Sequence, residues 1–443
     1  MDAAQPLPGA HAPSPDLPLL FATRMIRLFG YGLVSVVLVF HLTASGLSES
    51  QIGLLLTLTL LGDTAISLWL TTHADRFGRR QMLLAGALLM SFAGILFAVT
   101  QSFALLLLAA TVGVISPSGN EVGPFLAVEQ AVLAGEIPPE RRTGIFASYN
   151  LVGSLATALG SLCGGGLAQI LQSRGMAPLG SYRTVIFVYA GIGAALAVLF
   201  RQLSQAAEVA PRDKTQTTPQ APPERQPTGR PPKLAMRLGL ESSHTNVLKL
   251  ASLFTMDAFA GGFIVQAFVA YWFHQRFGVS LAALGSIFFA ANVLAGLSAL
   301  AASRLAKRIG LLATMVGTHI PSNILLLLVP LMPSLPLAIA VLLLRFSISQ
   351  MDVPTRQAYT MALVSPSERS AAAGVTGIAR TVGAALSPLI AGPLYASVAL
   401  ASAPFFIAGG LKLVYDLLVW RVFKNVPLEE ARDSSPRAGR QGS

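Results

Sequence analysis

The sequence predicts an all-α polytopic membrane protein built from two pseudo-symmetric halves, and three observations carry that reading. Of 443 residues, 53% are hydrophobic and 12% charged, against roughly 25% charged in soluble domains. Apolar runs recur from about Leu19 to Phe423, and many reach the roughly 20 residues that a bilayer crossing needs. The second half echoes the first. Ala74-Asp75-Arg76-Phe77-Gly78 returns as Ala306-Lys307-Arg308-Ile309-Gly310, and Glu140-Arg141 returns as Glu368-Arg369, the self-similarity expected of a duplicated membrane unit.

The stretch His73-Ala74-Asp75-Arg76-Phe77-Gly78-Arg79-Arg80 lies between the apolar runs Gln51 to Thr71 and Gln81 to Thr100. Its charges cannot share the hydrocarbon, so it is a turn, and the excess of arginine assigns it to the cytoplasmic side. Gly78 allows the sharp bend. The stretch resembles the signature between helices 2 and 3 of the major facilitator superfamily, G-x-x-x-D-[RK]-x-G-[RK]-[RK]. Asp75, Arg76, Gly78, Arg79 and Arg80 match, and Thr71 stands at the leading glycine. The resemblance covers the hydropathy of nearly the whole chain. It implies twelve transmembrane helices in two six-helix halves and a secondary transporter. It also implies that Asp75 touches the start of the eleventh helix and holds the cytoplasmic side closed. Asp75, Arg76, Gly78, Arg79, Arg80 and Arg356 are therefore the candidate cytoplasmic gate. Lys307 replaces the aspartate in the echo, so the special carboxylate belongs to the first half.

The net charge is +11, but the basic residues collect at predicted cytoplasmic ends rather than on a surface interleaved with aromatics, which argues against nucleic acid. Arg76, Arg79, Arg80, Arg141, Arg142, Arg304, Lys307, Arg308 and Arg369 fall inside, against Arg174, Arg183 and Arg276 outside. Both termini are thus expected in the cytoplasm. The single Cys163 excludes an internal disulfide. No phosphate-cradling loop, metal-spaced ligand set or hydrolase constellation is visible, so neither an enzyme nor a cofactor or metal is expected. Low lysine with high alanine, leucine and arginine suggests a GC-rich bacterium and its inner (plasma) membrane.

The expected organisation is a cytoplasmic tail over 1–18, a six-helix half over 19–205, a linker over 206–245, a second half over 246–425 and a tail over 426–443. The first tail lacks the basic start of a signal peptide. The linker, rich in Pro, Gln, Thr, Arg and Lys, reads as disordered, with its basic residues against anionic lipid.

In the first span, about Leu19 to Ser45, Arg27, Tyr31 and His41 share a stripe. Arg27 is expected to snorkel to the cytoplasmic surface, and Arg27 and Tyr31 are also substrate-binding candidates. The second span holds Asp63 beside Gly62. A charge there costs about 2.5 to 3.5 kcal/mol on insertion scales, so it faces the bundle interior. The fourth span, about Ala104 to Ala134, is broken by Ser116-Pro117-Ser118-Gly119-Asn120-Glu121 and Pro124. Prolines remove donors and clash with the preceding turn, and a broken span is tolerated where protein or a wet cavity satisfies the freed groups. Such breaks mark transporter binding sites. Asn120 is accordingly a substrate candidate and Glu121 the first proton-coupling candidate, while Glu129 is expected to pair with a cytoplasmic arginine. In the fifth span Gly160-Ser161-Leu162-Cys163-Gly164-Gly165 resembles, in degraded form, the G-P-x-x-G-G element of drug:proton antiporters; small residues for close packing explain it equally well.

The seventh span, about Asn246 to Phe273, carries Asp257, Gly261-Gly262 and Gln266. The ninth carries His319 beside Pro321, an interior polar contact. In the tenth, about Leu335 to Ala362, Arg345, Ser349, Asp352, Arg356 and Tyr359 are spaced to share one helical face. Asp352 and Arg356 form an ion pair on the plainest reading. Arg345 has no acidic neighbour one turn away and must find Glu121, Asp257, Asp416 or a ligand anion. The eleventh span adds Arg380 and Ser387-Pro388-Leu389-Ile390-Ala391-Gly392, and the twelfth adds Lys412 and Asp416.

The expected function is proton-coupled efflux of a small organic solute by a monomer that alternates access by rocking its halves. Glu121, Asp257 and Asp352 are the proton-coupling candidates, and Arg27, Tyr31, Asn120, Gln266, Arg345, Ser349 and Arg380 the substrate-binding ones. The proton gradient takes the place of a cofactor. The alternatives are uptake or exchange of an organic anion against Arg345 and Arg380, and a non-transporting sensor of the same fold.

Overall fold

The computed structural model describes residues 16–137, 139–204, 208, 240, 243–365 and 368–427. The two tails and most of the linker lie outside the described residues. Twelve crossings are present among the described residues. The first half runs α1 (Asp16–Ala44), α2 (Glu49–Phe77), α3 (Arg79–Val99), the broken pair α4 (Phe103–Val112) and α5 (Phe125–Glu136), α6 (Pro139–Ser173) and α7 (Pro178–Phe200). The second runs α8 (His244–Gly262) and α9 (Gln266–Phe277) as one broken crossing, α10 (Leu281–Ile309), α11 (Leu311–Leu328), the broken pair α12 (Leu335–Ser349) and α13 (Asp352–Ala362), α14 (Arg369–Ala396) and α15 (Ala403–Phe423). Eleven crossings are long and apolar enough to span a bilayer by themselves, and the pair α4 and α5 completes the twelfth.

Both copies of the basic turn bend at glycine. Gly78 between α2 and α3 has φ 101°, and Gly310 between α10 and α11 has φ 88°, a region costly to side chains with a Cβ. The duplication therefore survives in backbone conformation as well as in sequence. Asp16, expected in the tail, opens α1, and its carboxylate takes the Ser204 backbone N–H at 3.0 Å and hydroxyl at 2.6 Å. The first half is thus fastened end to end.

Two further spans are broken that the sequence reading took as continuous. The seventh opens at Phe263–Val265, after Gly262 has pressed its backbone against Ala384 and Ser387 of α14. The tenth opens at Gln350–Met351, because Pro354 would collide with the carbonyl four residues back and is tolerated only in a first helical turn. The expected five-residue face is therefore divided: Arg345 and Ser349 stand on α12, and Asp352, Arg356 and Tyr359 on α13.

The halves meet at the end away from the Gly78 turn. Along α2 and α14, Gly53 abuts the Pro388 carbonyl and Gly392 abuts the Glu49 carbonyl; along α6 and α10, Gly165 abuts the Leu281 carbonyl and Gly285 abuts Ser161. Small residues thus let the backbones touch. The glycines of the fifth and eleventh spans serve this packing, as Gly160 and Gly164 do against α1. Tyr271 adds a hydrogen bond to Glu49 at 3.1 Å, and Phe40 packs against Tyr271 and His274.

Gly53→Ala and Gly285→Ala each force backbone apart and should lower the thermal midpoint of the purified protein, by about 1–3 kcal/mol of overpacking. Gly317, with no atom of the described residues outside its own helix backbone within 4 Å of where its Cβ would stand, should tolerate alanine without loss.

Candidate functional site

The break between α4 and α5 is the local event from which the site grows. Over residues 113–124 the chain leaves the helix, with Gly119 at φ 71° and Gly123 at φ 83°. Several of the exposed backbone groups find partners on other elements. Tyr189 donates to the Val114 carbonyl at 2.5 Å, Tyr31 to Val122 at 3.0 Å and Thr157 to Gly119 at 3.3 Å. The Asp63 carboxylate receives the Gly123 N–H at 2.7 Å. From the other half, the Ala267 N–H reaches the Pro117 carbonyl at 3.1 Å, so the breaks of the fourth and seventh spans are joined.

Two charged clusters flank this junction. In the first half Glu121 lies between Arg24 and Arg27, at 2.8 Å from each. Arg27 also grips Glu129 with two bonds of 2.7 Å, a bidentate geometry that suits guanidinium. Tyr149 and Thr23 donate to Glu129 as well. In the second half Asp257 is a hub for Lys412 at 2.5 Å, Arg380 at 3.1 Å, Arg356 at 3.4 Å and His319 at 3.7 Å. His319 and Asn323 turn to Asp416 at 2.7 and 3.0 Å. Arg356 pairs with Asp352 at 2.7 Å.

Between the clusters, Gln266 at the start of α9 donates to Ser35 at 2.7 Å and Ser161 at 3.1 Å, and accepts from Asn292 at 3.1 Å. Arg345 is different. It leans over the Phe346 ring at 5.2 Å, makes no ion pair among the described residues, and keeps a buried Nε without a hydrogen-bond partner. The buried hydroxyl of Ser349, one turn on, also has no hydrogen-bond partner among the described residues.

Several expectations change. Arg27 does not snorkel; it is fully buried and committed to Glu121 and Glu129, and Glu129 takes this membrane arginine rather than a cytoplasmic one. Tyr31 is spent on the interrupted backbone and Gln266 on a bond between halves. Arg356, expected at the cytoplasmic gate, is buried in the Asp257 and Asp352 cluster. Asn120 is exposed in the interrupted segment. Arg380 is bonded to Asp257 yet a third exposed. Asp75 and Arg76 fall in the last turns of α2, with side chains outside the described residues. The Arg79 and Arg80 backbone N–H groups hold the Glu208 carboxylate at 2.7 and 3.2 Å, an anion at a helix start. Arg24, Lys412 and Asp416 join these clusters without having been expected there; the signals for them are the i, i+3 spacing of Arg24 and Arg27 and the i, i+4 spacing of Lys412 and Asp416.

The Major Facilitator Superfamily model matches residues 20–388 and 250–442. The chain is 33% identical over 430 residues to the uncharacterized membrane protein YJR124C of Saccharomyces cerevisiae, covering 93% of this chain and 95% of that one. Over 152 residues, 34% of this chain and 38% of the relative, it is 27% identical to the quinolone resistance protein NorA of Staphylococcus aureus. Among solved structures, the nucleoside transporter NupG superposes with a TM-score of 0.65 at 13% identity, over 92% of this chain and 99% of that one.

Arg27→Met should strand Glu129 without its countercharge and cost about 3–5 kcal/mol. Adding Glu129→Leu should restore most of the loss, measured as the thermal midpoints of the two variants beside the wild type.

Proposed function

The chain belongs to the major facilitator superfamily, and from that membership we propose that it exports a small organic solute in exchange for protons. Its halves would rock on the two glycine seams around the charged centre. The observation that carries the substrate part is Arg345. Buried charges are expensive and are normally paired, and here the Arg345 Nε and the neighbouring Ser349 hydroxyl both wait without a hydrogen-bond partner among the described residues. A carboxylate or other acceptor group on the solute would complete them. Arg380, part-exposed beside Asp257, would flank the same solute, and Asn120 would face it from the first half.

Export finds support in the likeness to NorA, whose name records quinolone resistance. Proton coupling is supported by the number of interior carboxylates whose ion pairs differ in strength with protonation, since a ligand shifts an equilibrium by its differential affinity for two states. The proposed orientation puts the Gly78 turn in the cytoplasm, with both termini there and the seams closing the outer end. Asp75, Arg76 and the following arginines would close the inner end in the opposite state. The proposed location is a plasma membrane, bacterial on the composition, although one relative is a yeast membrane protein. Uptake or exchange of an organic anion is a second reading, which the unpaired Arg345 equally favours.

The test is flux by the purified protein in liposomes under an imposed pH gradient, with carboxyfluorescein as the first organic anion and ethidium as the first organic cation. The anion should move uphill and opposite to the protons. Arg345→Ala should lose about 10- to 100-fold in transport efficiency, the worth of one charge-assisted hydrogen bond, and Arg345→Lys should keep part of it. Movement with the protons would mean uptake. Equal flux without a gradient would overturn coupling, and ethidium moving in place of the anion would make Arg345 structural.

A further inference from the structure

The three carboxylates that the sequence offers for coupling are all tied to cations: Glu121 to Arg24 and Arg27, Asp257 to its four partners, and Asp352 to Arg356. A proton on any of them competes with the positive group already paired there. Asp63 is not so held. It sits halfway along α2, is 8% exposed, and has no lysine, arginine or histidine nitrogen within 4.0 Å among the described residues. One oxygen accepts the Gly123 N–H at 2.7 Å and, at 3.5 Å, the Ser67 hydroxyl; the other accepts from nothing among the described residues. The groups that face it from neighbouring elements are Glu121 of the interrupted segment, Tyr31 of α1 and Tyr189 of α7. The helix α14, which packs along α2, carries Arg380, whose guanidinium is bonded to Asp257.

We propose that Asp63 is the residue that takes the coupling proton, and that the proton acts through Gly123 on the interrupted span and so on the bond between Pro117 and Ala267 that joins the halves. The inference rests on the proton-coupled reading above and names its residue. A hydrogen bond to an ionised acceptor is roughly twice as strong as one between neutral groups. Adding a proton to the carboxylate therefore slackens its hold on the Gly123 N–H and removes a negative charge facing Glu121. The segment it releases is short: it reaches from Gly123, past Glu121 in its pair of arginines, to Pro117 and the other half. The converse also holds. Deprotonation draws Gly123 back and restores the geometry in which Pro117 meets Ala267.

Two measurements on the full-length protein in phosphatidylcholine and phosphatidylglycerol vesicles test this without a known solute. The first is the infrared difference spectrum between acid and alkaline samples. The wild type should gain a protonated-carboxyl band that Asp63→Asn lacks and that Glu121→Gln keeps. The second is the distance between nitroxides on Met176→Cys and Leu400→Cys, exposed positions at the outer ends of the two halves, in a Cys163→Ser background. The wild-type distribution should shift on acidification. Asp63→Asn should show the acid distribution at every pH, and Asp63→Glu should keep a shift at a displaced midpoint, which also serves if the asparagine variant does not fold. An Asp63→Asn protein that retains the wild-type band and the wild-type shift overturns Asp63 and leaves proton coupling standing. A wild type with no pH response in either measurement overturns both.

Discussion

Backbone that leaves the helix inside apolar surroundings must have its polar groups met by protein, and the rest of this structure is arranged around that requirement. An unsatisfied amide or carbonyl there costs several kcal/mol. Residues 113–124 carry such groups across the middle of the bundle, and α1, α2, α6, α7 and α9 each supply one partner: Tyr31, Asp63, Thr157, Tyr189 and the Ala267 N–H. The break thereby becomes the point where five elements agree on a position. It also becomes the place where a change in one partner is felt by the others.

The interior charges follow a second rule. In the first half Arg24, Arg27, Glu121 and Glu129 balance one another through short bonds, with Arg27 bidentate on Glu129, and Asp63 stands apart from them. The second half carries Arg345, Arg356, Arg380 and Lys412 against Asp257, Asp352 and Asp416, which leaves one positive charge in excess apart from His319. That excess is not spread over the cluster. It is Arg345, the member without an ion-pair partner among the described residues, and it stands on the helix that opens the tenth span as α4 opens the fourth.

The spans, the two glycine turns and the break at Ser116 to Pro124 were legible because each depends on local chemistry: apolar length, positive φ, proline's missing donor. That no acidic residue stands one turn from Arg345 was legible too, but not that Glu121, Asp257 and Asp416 would all be taken by other partners. What spacing could not supply was the identity of partners on other helices. Arg27 looked like a surface residue because it lies near the start of its span, yet Glu121 and Glu129, about a hundred residues on, take it inside. Of the two carboxylate partners of Arg356, Asp352 lies one turn away, but Asp257 comes from another helix and is invisible to spacing. The shared face of the tenth span failed for a reason the sequence did contain, since Pro354 forbids the helix from continuing through Gln350. Asp63 was visible as a charge beside Gly62, but its role depends on Gly123, and only the fold brings those two together.

The bond from Asp16 to Ser204 has a consequence for how the molecule comes into being. It ties the first helix of the first half to the chain just beyond its last, so that half is a closed ring before the linker is reached. Domains generally fold as units, the N-terminal one first during synthesis. The contact that fastens these ends lies wholly within residues 16–204, so this six-crossing body holds its own ends without any group from the second. Of the two copies that duplication left in the chain, the first is thus tied shut by its own residues.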